Sequence, residues 1–204
     1  METEGVVIAL KSILERRHYE LQKGSSNWLT AYDDLLSDLA DIARMFRCYE
    51  VTEAYMMLIF GRLMMKSIFE SMLVEEVKRR IENPKYSIPE PFKTMFLREV
   101  QRLNMDDFDV DLIPQLGKLG ERLTSVKHLL EAAKVYGTGH EYHLLTLLID
   151  SSKPAISLLN EIFAKFLQEA ISELKSKPSP TTFKGKASEF VKMAHRRAHG
   201  WPES

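Results

Sequence analysis

Apolar positions recur at three- and four-residue intervals in almost every stretch between Pro or Gly punctuation, and the strict alternation of a strand is nearly absent. The first such stretch, about Glu4 to Lys23, puts Val6, Leu10, Ile13, Leu14 and Leu21 on one helical face and stops at Gly24. Ser25 or Ser26 can cap the next helix, since a side-chain oxygen there satisfies an amide that the first turn leaves unpaired. In that second helix Trp28, Tyr32, Leu35, Leu39, Ile42 and Phe46 line one side and Asp34, Asp38 and Asp41 another, so it is expected to be half-buried. A third helix, about Thr52 to Glu82, is apolar almost all round from Tyr55 to Phe69, which predicts a buried first half. Its second half is amphipathic through Leu73, Val77 and Ile81.

Residues 83–91 hold three prolines and read as an extended linker. Beyond it Pro91 suits a first helical turn, and Phe92, Phe96, Val100 and Leu103 follow at helical spacing. From Asp111 to Pro114 another helix is expected to begin, with Leu112, Leu116, Leu119, Leu123, Val126, Leu130 and Ala133 alternating at four and three as in a coiled-coil seam. Gly137 and Gly139 end it, a short apolar helix covers about Glu141 to Ile149, and Ser152 with Pro154 restarts or kinks the path into a helix to about Leu174. Pro178 and Pro180 break the chain again before a last helix, about Lys186 to Ala198, with Ala187, Phe190, Val191 and Ala194 on one side. The expected fold is all-α, an antiparallel bundle of about seven helices, with two packed helical lobes as a variant. The expected organisation is an N-terminal lobe (1–82), a Pro-rich linker (83–91), a C-terminal lobe (92–175) and a basic C-terminal segment (176–204) with a short amphipathic helix.

A composition 45% hydrophobic and 28% charged over 204 residues is globular and large enough for a core without covalent staples. One cysteine, Cys48, cannot form an internal bridge, and is read as a small packed side chain near a helix end. The start Met1-Glu2-Thr3-Glu4 lacks a basic signal-peptide head and no apolar run spans a bilayer, so a cytoplasmic protein without membrane contact is expected. Charge modifies this picture most. Net −1 overall divides into +4 for residues 176–204 and −5 for the rest. An acidic body with a basic end suggests an interaction segment, and Lys184, Lys186, Lys192, Arg196 and Arg197 are the candidates for holding nucleic-acid phosphates or an acidic protein surface. Phe183 or Trp201 could stack on a base.

Other candidate chemistry is sparse. Six of ten methionines fall between residues 45 and 72, which reads as core filler, with a partner groove or a soft metal site as alternatives. The aspartates from Asp106 to Asp111 begin like a calcium loop, but Leu112 and Lys118 stand where it needs glycine and a bidentate glutamate, and an acidic first helical turn accounts for them. His140 with His143, and His195 with His199, are close pairs without a full ligand set, even with Glu131 added to the first, so neither metal nor cofactor is expected. No Ser or Cys nucleophile signature is present, and Gly117-Lys118 lacks the rest of a phosphate loop.

Arg122 and His128, with five residues between them, resemble the arginine-to-histidine motif of the HEPN helical ribonucleases. That resemblance implies a dimeric ribonuclease in which the imidazole moves a proton and the guanidinium holds phosphate. It covers these two positions, and Leu123 stands where the family prefers a polar residue. The first expectation is a non-enzymatic helical subunit or adaptor working through protein association or a homo-oligomer. The alternatives are nucleic-acid association through the basic segment and the HEPN-like ribonuclease.

Overall fold

The computed structural model of this 204-residue chain describes residues 2–107, 131 and 139–199. Among them are six α-helices and no strand: α1 (Glu2–Gln22), α2 (Trp28–Phe46), α3 (Tyr49–Ile81), α4 (Glu90–Gln101), α5 (His140–Ser176) and α6 (Pro180–Ala198). Two short 3-10 turns lie at Pro84–Tyr86 and Met105–Asp107. The fold is the expected all-α helical bundle, with six helices among the described residues against about seven expected. The heptad seam from Leu112 to Ala133 lies outside the described residues. Packing divides the chain into two compact units, one of Met1–Ile68 with Ser157–Ser204 and one of Phe69–Ile156.

In the first unit α1 lies against α2 through Leu10 and Leu14, which are fully buried like Trp28, Tyr32, Leu35 and Leu39 of α2. A two-residue link whose Arg47 sits in the left-handed region (φ +49°) turns α2 into α3. The cap of α2 is Asn27, not Ser25 or Ser26: its Oδ1 accepts from the amides of Leu29 (2.9 Å) and Thr30 (3.1 Å). The two serine hydroxyls instead donate to the carbonyls of Glu20 and Asn27. The Trp28 amide donates to Asn160 Oδ1 of α5 at 2.8 Å, so the helix start is fixed from 132 residues away.

The centre of this unit is aromatic. Tyr32 stacks on Phe163 (centroids 4.8 Å apart), Phe166 meets Phe190 at 4.5 Å, and the Tyr32 hydroxyl donates to the Leu58 carbonyl at 2.6 Å. Gly61 of α3 faces this cluster, where a Cβ would stand 2.6 Å from Tyr32 Oη and 3.2 Å from Phe190 Cε1. Only a residue without a side chain lets the α3 backbone come this near. Two aspartates of α2, Asp34 and Asp38, are held by α1. Arg17 donates to Asp38 (2.8 Å), Asp34 (3.0 Å) and Glu20 (2.8 Å), and Arg16 to Asp38.

In the second unit, residues 83–91, expected as an extended linker, form a packed corner. Tyr86 and Ile88 are buried, and the Tyr86 hydroxyl donates to Asp150 Oδ2 at 2.9 Å. The prolines cap and turn rather than extend: Pro84 opens a 3-10 turn capped by Asn83, and Pro89 is the N-cap of α4. Partial burial works against ionisation of Asp150, but hydrogen bonds from Lys153 and Tyr86 outweigh it and hold the carboxyl below its usual range.

Two prolines behave differently from the sequence expectation. Pro154 was expected to restart or kink the path, and α5 runs through it as one helix, so the helix does not restart there. Ser151 and Ser152 just before it are fully buried, and their hydroxyls are satisfied within the helix by the carbonyls of Leu147 and Ile149 (both 2.7 Å). Pro180 does not break the chain but starts α6, where the missing amide is one that a first turn leaves unpaired in any case; Ser179 caps it.

Candidate functional site

The basic segment is built into the first unit rather than hanging from it. Phe183, Ala187, Phe190 and Ala194 of α6 are buried. Phe183 is fully enclosed and therefore unavailable to stack on a base, and Trp201 lies outside the described residues. Lys184 pairs with Glu53 of α3, its ammonium 5.9 Å from the Tyr49 ring centroid, and the hydrogen bond lowers the Glu53 pKa while raising that of the lysine. Lys186 lies 3.0 Å from Glu189 and 3.8 Å from Glu173. Lys192, Arg196 and Arg197 are exposed. Lys192 and Arg196 line a shallow groove of about 520 Å³ with Val191, His195 and His199. The five candidate cations thus fall into two on acidic side chains of the same unit and three near the end of α6.

His195 and His199 approach each other, rings 4.4 Å apart, one turn apart on α6. The His140 ring packs near Phe92, at 6.2 Å. Among the described residues no group of three or more His, Cys, Asp and Glu side chains could hold a metal ion. Cys48 donates to Glu50 at 3.2 Å, and partial burial pushes its thiol pKa up, which leaves it less thiolate than an ordinary cysteine. Arg122 and His128 lie outside the described residues. No helix among the described residues is long and apolar enough to cross a membrane.

The feature that sequence reasoning missed is on α3. Its first half, expected to be buried all round, is not: Tyr49 is 68% exposed, Met56 50%, Phe60 56% and Leu63 52%. Within residues 49–68 the exposed positions are Tyr49, Thr52, Met56, Phe60, Leu63 and Ser67, and none carries a charge. The opposite side, Val51, Ala54, Leu58, Gly61 and Met65, is the buried one. The signal was present in the sequence as a helix with too many apolar residues for one buried face. Three sides of apolar residues mean either burial by the chain itself or a surface awaiting something else.

Comparison of the chain with protein-family models, curated proteins and solved structures finds no match.

Proposed function

We propose that this chain is a non-enzymatic helical interaction protein, a subunit or adaptor that associates through the uncharged outer face of α3. The observation that carries the reading is the row of large apolar side chains, Tyr49, Met56, Phe60 and Leu63, each half or more exposed. Apolar area left in water promotes association, and these four side chains follow one another along a single helix face, whereas Ile8, Tyr19, Met45 and Tyr142 are exposed on other helices. The test is particle size in lysate of cells making the tagged chain. Wild type should migrate well above its 23.6 kDa, and Phe60→Glu with Leu63→Glu should shrink the particle. Migration of both as single chains would refute the reading.

A second reading, nucleic-acid association, draws support from Lys192 and Arg196, exposed together on one stretch of α6. It requires binding that falls steeply with salt and is lost in Lys192→Glu with Arg196→Glu. The HEPN-like ribonuclease reading rests on Arg122 and His128, and is tested by loss of single-stranded RNA cleavage in His128→Ala.

A further inference from the structure

Two histidines stand at the end of α6, His195 in its last turn and His199 at its C-cap. Both are exposed, and the His199 amide donates to the His195 carbonyl at 3.2 Å, so the helical register continues through the pair. Residues four apart on a helix share one face. The two rings meet there: their centres are 4.4 Å apart and their planes are inclined at 53°, which is not a flat stack. With Val191, Lys192 and Arg196 they line one shallow groove. His140 and His143, the other close pair in the sequence, are placed differently, the first ring near Phe92 and the second near Tyr142.

The separation of the His195 and His199 rings has a chemical meaning. An imidazole nitrogen binds a transition metal at about 2.0–2.1 Å, and the ring centre lies about 1.1 Å behind that nitrogen, so each centre stands about 3.2 Å from the ion. Two rings at a right angle around one ion therefore have centres about 4.5 Å apart, and at the tetrahedral angle about 5.2 Å. The 4.4 Å found here fits the right-angled pair. That is the geometry of square or tetragonal nickel(II) and copper(II), for which imidazole is a good ligand, rather than of tetrahedral zinc.

A structural zinc needs four protein ligands, whereas an exposed chelate on one turn of helix needs two, with water in the remaining positions. The location favours a cation as well, because the last carbonyls of a helix lack amide partners and carry the negative end of its dipole. Lys192 and Arg196 act against it. Both are exposed, where water and salt weaken the repulsion.

We infer that His195 and His199 form a bidentate site for a divalent transition ion of the nickel and copper class at the end of α6. The site is independent of the α3 face and of the interaction reading.

The experiment is isothermal titration of nickel chloride into the purified, untagged full-length protein at pH 7, in a buffer that does not bind metal and at about 0.15 M salt. Wild type should show a saturable phase that His195→Ala and His199→Ala each weaken at least tenfold and that His140→Ala with His143→Ala leaves unchanged. Far-UV circular dichroism should not change in the first two variants, since both positions face solvent. Arg197→His added to His199→Ala keeps two imidazoles but sets them two residues apart, on different faces of the helix, and should not restore binding. Lys192→Ala with Arg196→Ala removes the opposing charges and should tighten the site a few-fold. Saturating nickel should also raise the urea midpoint of wild type and not of His195→Ala, because the folded helix holds both ligands in register and the unfolded chain does not. Absence of saturable uptake up to about 1 mM nickel overturns the site. Affinity that survives His195→Ala, or that returns with Arg197→His, overturns the chelate.

Discussion

Gly61→Ala tests the packing that puts the apolar stripe of α3 outward. The added methyl would stand 2.6 Å from Tyr32 Oη, about 1 Å inside ordinary contact, and 3.2 Å from Phe190 Cε1. Tyr32 has little room to yield: it is fully buried, stacked on Phe163 and hydrogen-bonded to the Leu58 carbonyl. Overpacking of this kind costs about 1–3 kcal/mol, and disturbing the hydroxyl's bond adds about 1 kcal/mol. Alanine's better helix propensity returns about 1 kcal/mol, so the net destabilisation should be about 1–3 kcal/mol. Tyr32→Phe alone should cost about 1 kcal/mol, because the Leu58 carbonyl keeps its helical amide partner. In the double variant the oxygen struck by the methyl is gone, and the two losses should fall short of their sum by at least ~1 kcal/mol. Urea titration followed by far-UV circular dichroism at pH 7 measures all four corners of the cycle. An alanine variant as stable as wild type, or strict additivity, would refute the close approach of α2, α3 and α6 at this point.

Asn27→Ala removes the acceptor shared by the Leu29 and Thr30 amides and should lower stability by about 1 kcal/mol in the same titration; an unchanged midpoint would mean the cap is elsewhere. Arg17→Met should cost about 1–2 kcal/mol, between the values for exposed and buried pairs, since the Arg17 side chain is 12% and that of Asp38 21% exposed. That cost should shrink in 1 M salt, and a salt-independent loss would point to packing instead. Hydrogen bonds from Arg79 and then Arg80 hold the Glu76 carboxyl at about 2 against an ordinary 4.5. A depressed carboxylate stabilises above its unfolded pKa and loses that contribution as pH falls through the folded one. The stability gap between wild type and Glu76→Gln should therefore be full at pH 7 and close between pH 4.5 and 2; a gap constant over that window contradicts the pairing.

The helices were legible because a helix burying one face must repeat its apolar residues at three and four, as Leu35, Leu39 and Ile42 do, and all three are buried. Their ends were less so. Ser25, Ser26 and Asn27 are all competent caps, and local chemistry does not rank them. What distinguishes Asn27 is that the next amide, that of Trp28, is held by Asn160 of a helix far along the chain. The prolines carry the same lesson. Pro84, Pro154 and Pro180 are alike as residues, yet one opens a turn, one lies inside a helix and one begins a helix. A missing amide excludes one hydrogen bond and leaves open which side of the proline the helix lies on.

The candidate surfaces were harder to read for a reason that applies to charge and to apolarity alike. Sequence counts what a side chain can do and not whether a neighbour has already answered it. A +4 segment after a −5 body reads as a free basic arm, but Lys184 closes on Glu53 of α3, and Lys186 lies between Glu173 and Glu189. Part of the asymmetry is thus the body's own counter-charge, carried on a helix that also supplies Phe183 and Phe190 to the core. The apolar first half of α3 misleads in the opposite direction. Periodicity says that Met56, Phe60 and Leu63 favour removal from water, and it does not say which chain removes them. Among the described residues nothing of this chain does so fully, as their exposure records. The excess of apolar residues on α3, which reads in the sequence as depth in a core, is in the structure divided between a buried face and an exposed one.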